Sequence, residues 1–362
     1  MKKILVISNY RGYHTARPEA EIFIGLKKLG FDITIMTYPD AEYIPNFEEV
    51  GIKVISKHPE KKHDTEFIKT LKKELKTGKY DLLHLFNNKA IRNGIQAAKN
   101  IDVKVVIYRG ASANMAWWNP LNYFKFYHPR IDHAICNSEE IRQKFLASQI
   151  IHSIKPVTIL KGHDLDWYSN TEVHDIRSEL SIRTDSLLLV TVANNRKVKG
   201  VDVLLKSMKY LPKDANIDLI IIGEKMNKAP IQSLIKNSER ADRIHLLGFR
   251  EDALNIVSGC DVFICPSTGS EALTKSVIEA MSLGVVPVIS DIDGNKPLVD
   301  NMVNGFVFQN ANPRDLADTI MIAYNSRQAL PDFSKAAKSK IDRDINSEKT
   351  IIKYSEFYIS IT

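Results

Sequence analysis

Cysteine is scarce in this 362-residue chain. The three thiols, Cys136, Cys260 and Cys265, are odd in number and have no metal-ligand spacing. That excludes a disulfide framework or a zinc module and fits reduced thiols in the cytosol. No apolar run approaches the ~20 residues needed to span a bilayer. The run after Met1-Lys2-Lys3 ends at Asn9, too short for a signal-peptide core. Short-period repeats, low-complexity tracts and nucleic-acid-binding motifs are also missing, so solenoids, disordered arrays and nucleic-acid readers are set aside. What is present is ordinary for a globular protein, with 44% hydrophobic and 26% charged residues. The length predicts ~2 domains. A net charge of +7 favours anionic partners such as nucleotide-sugars or anionic membrane surfaces.

Short apolar runs alternate with amphipathic stretches. In the first half, strands are expected at Ile4 to Ile7, Ile33 to Met36, Val54 to Ser56, Leu82 to Phe86, Val103 to Tyr108, Ala134 to Cys136 and Pro156 to Leu160. Helices are expected at Glu19 to Lys28, Thr65 to Lys76, Ile91 to Lys99 and, capped by Ser138, through Phe145. The second half repeats the theme, with strands at Leu187 to Ala193, Leu219 to Gly223, His245 to Gly248, Val262 to Cys265 and Val285 to Ser290. This alternation predicts an α/β protein whose parallel sheets carry helices on both faces. The polar stretch from Trp167 to Ser186 places the break, giving domains at 1–166 and 167–344 and a terminal apolar helix within 345–362.

The most informative stretch runs from Asp261 to Asp293 as strand, loop, helix, strand. Thr274 is placed to cap the helix and Gly284 to end it. Glu279 falls among Val277, Ile278, Ala280 and Met281, where a lone carboxylate is costly without a partner. Lys275, at the helix start, more naturally faces an anion, whereas a sugar cis-diol would satisfy the carboxylate. On one continuous helix Glu271 and Glu279 would lie about 12 Å and about 80° apart. With Glu271 in the loop instead, both can flank a ligand at the helix N-terminus, which itself suits phosphate. A nucleotide-sugar fits this layout; a solvated glutamate at a helix end is the plainer alternative.

Pro266, Ser267, Glu271, Glu279, Ala280, Gly284, Pro287 and Val288 together resemble the donor-site signature of the retaining GT-B glycosyltransferases, glycosyltransferase family 4. Ala272 and Thr274 stand where that pattern has glycines. The resemblance covers nearly the whole chain. It implies two Rossmann-like parallel-sheet domains facing across a cleft: an N-terminal acceptor domain, a C-terminal nucleotide-sugar domain, and a last helix (Glu348 to Ile361, with Ile351, Ile352, Tyr354, Phe357 and Tyr358) crossing back. It implies that Glu279 holds the ribose, that Glu271 contacts the donor sugar, and that Ala272, Leu273, Thr274 and Lys275 line the donor site.

The segment Val192 to Gly200 resembles the family's G-R-x-x-x-x-K-G loop, which holds the donor diphosphate. Lys199 and Gly200 align directly, the family arginine falls on Asn194, and Arg196 is its shifted substitute. Gly248, Phe249 and Arg250 resemble the loop that reads the nucleobase. Only Gly12 remains of the paired glycines after the first strand, and Arg109-Gly110 replaces the family's H-G pair. Arg109 could bind donor phosphate or an acidic acceptor but cannot accept a proton. His14 and His84 are candidates for the displaced polar role. His163, in Gly162-His163-Asp164, resembles the family's segment at the domain junction, behind Lys161. On the acceptor side the expected residues are Gly12, His14 and His163.

Asp164-Leu-Asp166 and Asp291-Ile-Asp293 could suggest a metal, but both sit where the family has ordinary turns, so no metal and no cofactor are expected. Two surfaces bear on the acceptor. One is the lysine group Lys57, Lys61, Lys62, Lys69, Lys72, Lys73, Lys76 and Lys79 around a helix with the apolar stripe Phe67, Leu71 and Leu75; it is either a solvated face or a docking face for an anionic membrane. The other is the aromatic stretch from Trp117 to Tyr127. The expectation is a retaining, metal-independent glycosyltransferase that uses a UDP- or GDP-sugar and a glycan or lipid-linked acceptor. It would work in bacterial surface polysaccharide or lipopolysaccharide synthesis, at the cytoplasmic face of the inner membrane. The alternatives are a nucleotide-sugar epimerase and a degraded, non-catalytic binding subunit.

Overall fold

A computed structural model describes residues 2–110, 122–123, 125–148, 153–269 and 273–362. The chain divides into two compact units, Met1–Gly162 with Ile345–Thr362, and His163–Asp344. The boundary therefore falls after Gly162 rather than after Asp166, and the C-terminal segment belongs to the first unit.

The first unit holds seven parallel strands: β1 (Lys3–Ile7), β2 (Asp32–Met36), β3 (Lys53–Ile55), β4 (Leu82–Leu85), β5 (Lys104–Arg109), β6 (His133–Cys136) and β7 (Lys155–Thr158). Their order is β3-β2-β1-β4-β5-β6-β7. Strand β1 after Lys3 is a continuous apolar run, and β4 is apolar but for the buried His84, because helices cover both faces of the sheet. The first helix spans Tyr13–Lys28 with Pro18 inside it, whereas the sequence suggests a start at Glu19. Pro18 lacks an N–H to donate, but the turn ahead of it is anchored from outside. Glu42 accepts the Tyr13 N–H at 2.8 Å, and the Tyr13 ring stacks on Tyr43 at 4.7 Å.

The terminal helix Ser347–Ile361 packs against Tyr13–Lys28 through Ile351, Tyr354 and Tyr358. Ile352, expected on the same apolar face, is instead exposed. In the lysine-rich helix Thr65–Gly78, Phe67, Leu71 and Leu75 are buried.

The second unit holds six parallel strands: β8 (Leu187–Val192), β9 (Ile217–Ile222), β10 (Ile244–Gly248), β11 (Val262–Cys265), β12 (Val286–Ser290) and β13 (Phe306–Phe308). Their order is β10-β9-β8-β11-β12-β13. The three-residue strand β13 escapes sequence reading, since so short a run carries no period; it exists because β12 offers it an edge. Both sheets have the order of a doubly wound Rossmann fold.

Candidate active site

In such sheets, ligands bind beyond the carboxyl ends of the strands, where the order reverses. In the second unit that point lies between β8 and β11, with Lys199 following one strand and the loop to Lys275 following the other. Gly200, at φ 65, presses this β8 loop onto the end of β11, and a Cβ there would sit 1.8 Å from the Pro266 carbonyl oxygen. The Thr268 N–H donates to the Val198 carbonyl at 2.8 Å. Gly223 does the same at the end of β9, where a Cβ would meet the Ala193 carbonyl oxygen at 1.6 Å. Close backbone approach thus brings the ends of β8, β9 and β11 together.

Within this frame Arg196 and Asn194 are exposed, and the Arg196 Nε donates to the Asn194 Oδ1 at 2.8 Å. Lys199 is half-buried at the end of a short 3-10 turn. Glu271 and Ala272 lie outside the described residues, as do Trp117, Trp118 and Phe124 of the aromatic stretch. Leu273 is buried, and helix Lys275–Leu283 follows.

Two expectations about this helix need correction. Thr274 occupies the N-cap position but does not cap with its side chain; its hydroxyl donates to Asn295 Oδ1 at 2.6 Å. Glu279, with 13% of its side chain exposed, does find a cation on its own helix, because Lys275 pairs with it across one turn. The spacing is that of ordinary i, i+4 neighbours, and in the absence of a ligand the nearest cation satisfies a half-desolvated carboxylate.

Sequence reading missed the residues that hold the loop. Asn295 is fully buried and reaches Cys265 Sγ at 3.6 Å, the Ser290 hydroxyl donates to the Ser267 carbonyl at 2.5 Å, and Asn310 donates to the Thr268 carbonyl at 3.2 Å. Asn295 sits between polar neighbours, Asp293 and Lys296, so nothing local marks it as buried.

Beyond β9 and β10 lies a cavity of about 540 Å³ lined by Gly223, Glu224, Met226, Leu246, Gly248 and Phe249 among others. Gly248 takes φ 69, and Phe249 is 66% exposed at the rim. Arg250, expected beside them, is turned to a different task. It holds Asp252 in a two-pronged pair at 2.7 and 2.8 Å and Glu179 at 2.9 Å. Donating to Asp252 and then to Glu179 raises the Arg250 pKa, and accepting from Arg250 lowers both carboxyls. This closed ion network is structural.

In the first unit the order reverses between β1 and β4, which places Arg11 and Gly12 opposite Asn87 and Lys89. Gly12 is the N-cap of its helix and His14 is exposed in the first turn. His84 is not at a strand end facing solvent. It is fully buried, shares a hydrogen bond of 2.5 Å with the Tyr358 hydroxyl, and is held neutral by burial and then by Lys161. His163 is also buried, against Tyr168 at 2.8 Å, a placement that does not present it to an acceptor. Arg109 closes β5, 8% exposed, with its guanidinium 3.8 Å over the Phe126 ring; burial brings its pKa down to about 10. Among the described residues no group of three or more His, Cys, Asp or Glu could hold a metal, and no helix is long and apolar enough to cross a membrane.

Two Rossmann-like parallel-sheet units with these strand-end loops define the GT-B class. Residues 20–167 match the profile described as Glycosyltransferase Family 4, and residues 172–340 match Glycosyl transferases group 1. The chain belongs to this family of glycosyltransferases. It is 24% identical to an Escherichia coli UDP-Gal:alpha-D-GlcNAc-diphosphoundecaprenol alpha-1,3-galactosyltransferase, covering 82% of this chain and 80% of the relative. It is 26% identical to a Campylobacter jejuni N,N'-diacetylbacillosaminyl-diphospho-undecaprenol alpha-1,3-N-acetylgalactosaminyltransferase, over 87% and 88%. Among solved structures, the fold matches Anabaena Alr3699/HepE in complex with UDP at TM-score 0.80 and 19% identity, covering 99% of this chain and 100% of that one. A Rickettsia africae glycosyltransferase matches at TM-score 0.83 and 19% identity, over 99% and 98%.

Proposed function

We propose that this chain is a retaining, metal-independent transferase that moves a hexose-type sugar from a UDP- or GDP-sugar to a lipid-linked glycan in cell-envelope polysaccharide synthesis. The observation that carries the reading is the convergence, at the switch point between β8 and β11, of the Lys199 loop and the N-terminus of helix Lys275–Leu283. Cations beside a helix N-terminus suit a diphosphate. The neighbouring cavity rimmed by Gly248 and Phe249 suits a nucleobase. UDP and UDP-glucose in complexes of Anabaena HepE support this donor class, and the diphospho-undecaprenol acceptors named for the bacterial relatives support the acceptor class.

In this reading the ribose hydroxyls replace Lys275 as the partner of Glu279, and Lys275 swings to the phosphate. Lys199 and Arg196 neutralise the diphosphate as the C1–O bond breaks, stabilisation of the kind that dominates such transfers. The acceptor oxygen attacks C1 on the face the diphosphate leaves, and a leaving phosphate oxygen takes the acceptor's proton. Glu271 contacts the donor sugar.

Work at the cytoplasmic membrane face is supported by the helix Thr65–Gly78. Lys69, Lys72, Lys73 and Lys76 are exposed and recur at the spacing of one helical face, opposite Phe67, Leu71 and Leu75.

The test is a thermal-shift and hydrolysis screen across UDP-, GDP- and ADP-sugars, with and without EDTA, on wild type and Glu279→Ala. Selective stabilisation with slow sugar release, both lost in the variant and neither affected by EDTA, is the expected result. Loss of turnover in EDTA sinks metal independence, and no binding to any donor sinks the whole reading. The Lys275–Glu279 pair favours one second reading, a binding subunit with a closed donor site; binding without turnover, even with acceptor extracts, would select it.

A further inference from the structure

Helix Lys275–Leu283 starts with a residue that is placed to cap it and does not. Thr274 holds the N-cap at φ -77 and ψ 111, the extended backbone from which a threonine hydroxyl reaches back to the first turn. At five other helices the N-cap side chain does so. Asp64, Asn87, Ser138, Asn312 and Asn346 each accept a backbone N–H from the turn that follows. Thr274 makes no such bond, and its hydroxyl donates to Asn295 Oδ1 at 2.6 Å.

Asn295 is built to hold that hydroxyl. It is fully buried, and each of its polar groups is engaged. The amide Nδ2 donates to Cys265 Sγ at 3.6 Å, at the end of β11, which leaves Oδ1 as the end facing Thr274. Its own N–H donates to the Ile292 carbonyl at 3.0 Å, and its carbonyl accepts the Leu298 N–H at 2.9 Å. Turning Thr274 towards the helix would orphan the buried Oδ1, a costly exchange for one capping bond. The hydroxyl therefore stays on Asn295. The Thr274 carbonyl accepts the N–H groups of Val277 and Ile278, at 3.0 and 3.3 Å. Among the described residues no side chain accepts those of Lys275 and Ser276.

We propose that Asn295 is a positioning residue for the donor: it draws the Thr274 hydroxyl off the helix, so that the first-turn N–H groups are left for the donor diphosphate. A capping hydroxyl and a phosphate at one helix terminus compete for the same N–H donors. Asn295 decides that competition in favour of the phosphate. The inference rests on the donor site proposed above, and it adds a residue that acts through Thr274 without contact with the donor.

UDP and GDP, titrated calorimetrically into the full chain, and amide exchange in the first turn of the helix, followed by NMR, test the proposal. In Asn295→Ala the released hydroxyl caps the helix. Exchange of the Ser276 and Val277 N–H groups should slow, and the nucleotide that wild type binds should bind about fivefold more weakly, the worth of one N-cap hydroxyl. Thr274→Val removes the competitor, so Asn295→Ala/Thr274→Val should exchange as fast as wild type and recover most of the lost affinity. A loop that is merely loosened gives the reverse: faster exchange in Asn295→Ala, and a double variant that binds no better than the single one. Either result overturns the proposal, as does unchanged affinity in Asn295→Ala. Asn295→Leu, apolar and close in shape, replaces Asn295→Ala in both comparisons if the alanine variant does not fold. If wild type binds neither nucleotide while exchange responds as expected, the donor reading falls and the diversion of Thr274 stands.

Discussion

The ion pair between Glu19 and Lys161 offers a sharp test of how the first unit is held together. Lys161 follows β7 at one edge of the sheet, and its side chain runs back over the strand ends to Glu19 on helix Tyr13–Lys28, at 2.6 Å. On the way its Nζ passes 4.2 Å from the Tyr108 ring and 5.4 Å from that of Phe86. The Lys161 N–H is fixed by Asn137 Oδ1 at 2.8 Å. Only 22% and 11% of the two side chains are exposed. Lys161→Met keeps the contact with the rings but strands the carboxylate, and breaking such a pair costs about 3–5 kcal/mol. For a unit of this size that lowers the melting temperature by about 6–20 °C. The double variant Glu19→Leu/Lys161→Met removes both charges and should recover most of the loss, because an apolar replacement of a buried pair is often neutral. Calorimetry on the full chain, following whichever transition moves, reads both values. A Lys161→Met melting temperature within about 3 °C of wild type, or a double variant as unstable as the single one, would refute the reasoning.

Other outcomes follow from single contacts. Gly223→Ala forces a Cβ against the Ala193 carbonyl oxygen and should destabilise the second unit by several kcal/mol, about 3 or more, seen as lost soluble expression or an early calorimetric transition. Asn295→Ala removes the acceptor of the Thr274 hydroxyl and should raise the donor KM more than it lowers kcat, at a stability cost of about 1–3 kcal/mol; an unchanged KM would separate this pin from the donor site. Burial takes His58 down to about 4, so it folds neutral. Because the folded pKa lies below the unfolded value near 6.5, full stability is present above about pH 6.5 and falls as pH drops towards 4, by up to about 3 kcal/mol. Urea titrations across this range should show the loss, and a His58→Gln variant should flatten it.

What the residues alone determined is the architecture. Apolar runs such as Ile4 to Ile7 and Val262 to Cys265 carry their strand character locally, because a strand buried on both faces is built mostly of apolar residues. The close approach of the β8 loop to the end of β11 has a local mark of its own, Gly200, since a Cβ there would sit 1.8 Å from the Pro266 carbonyl oxygen. Tertiary structure decided what each charged or titratable group faces. His84 reads as a strand-end candidate and His163 as an acceptor-side residue, but both are buried; Arg250 is spent on Asp252 and Glu179, and Thr274 turns to Asn295 rather than to its own helix. A periodicity reports which face of one element is buried, whereas a site is made by side chains from elements that only the folded sheet brings together.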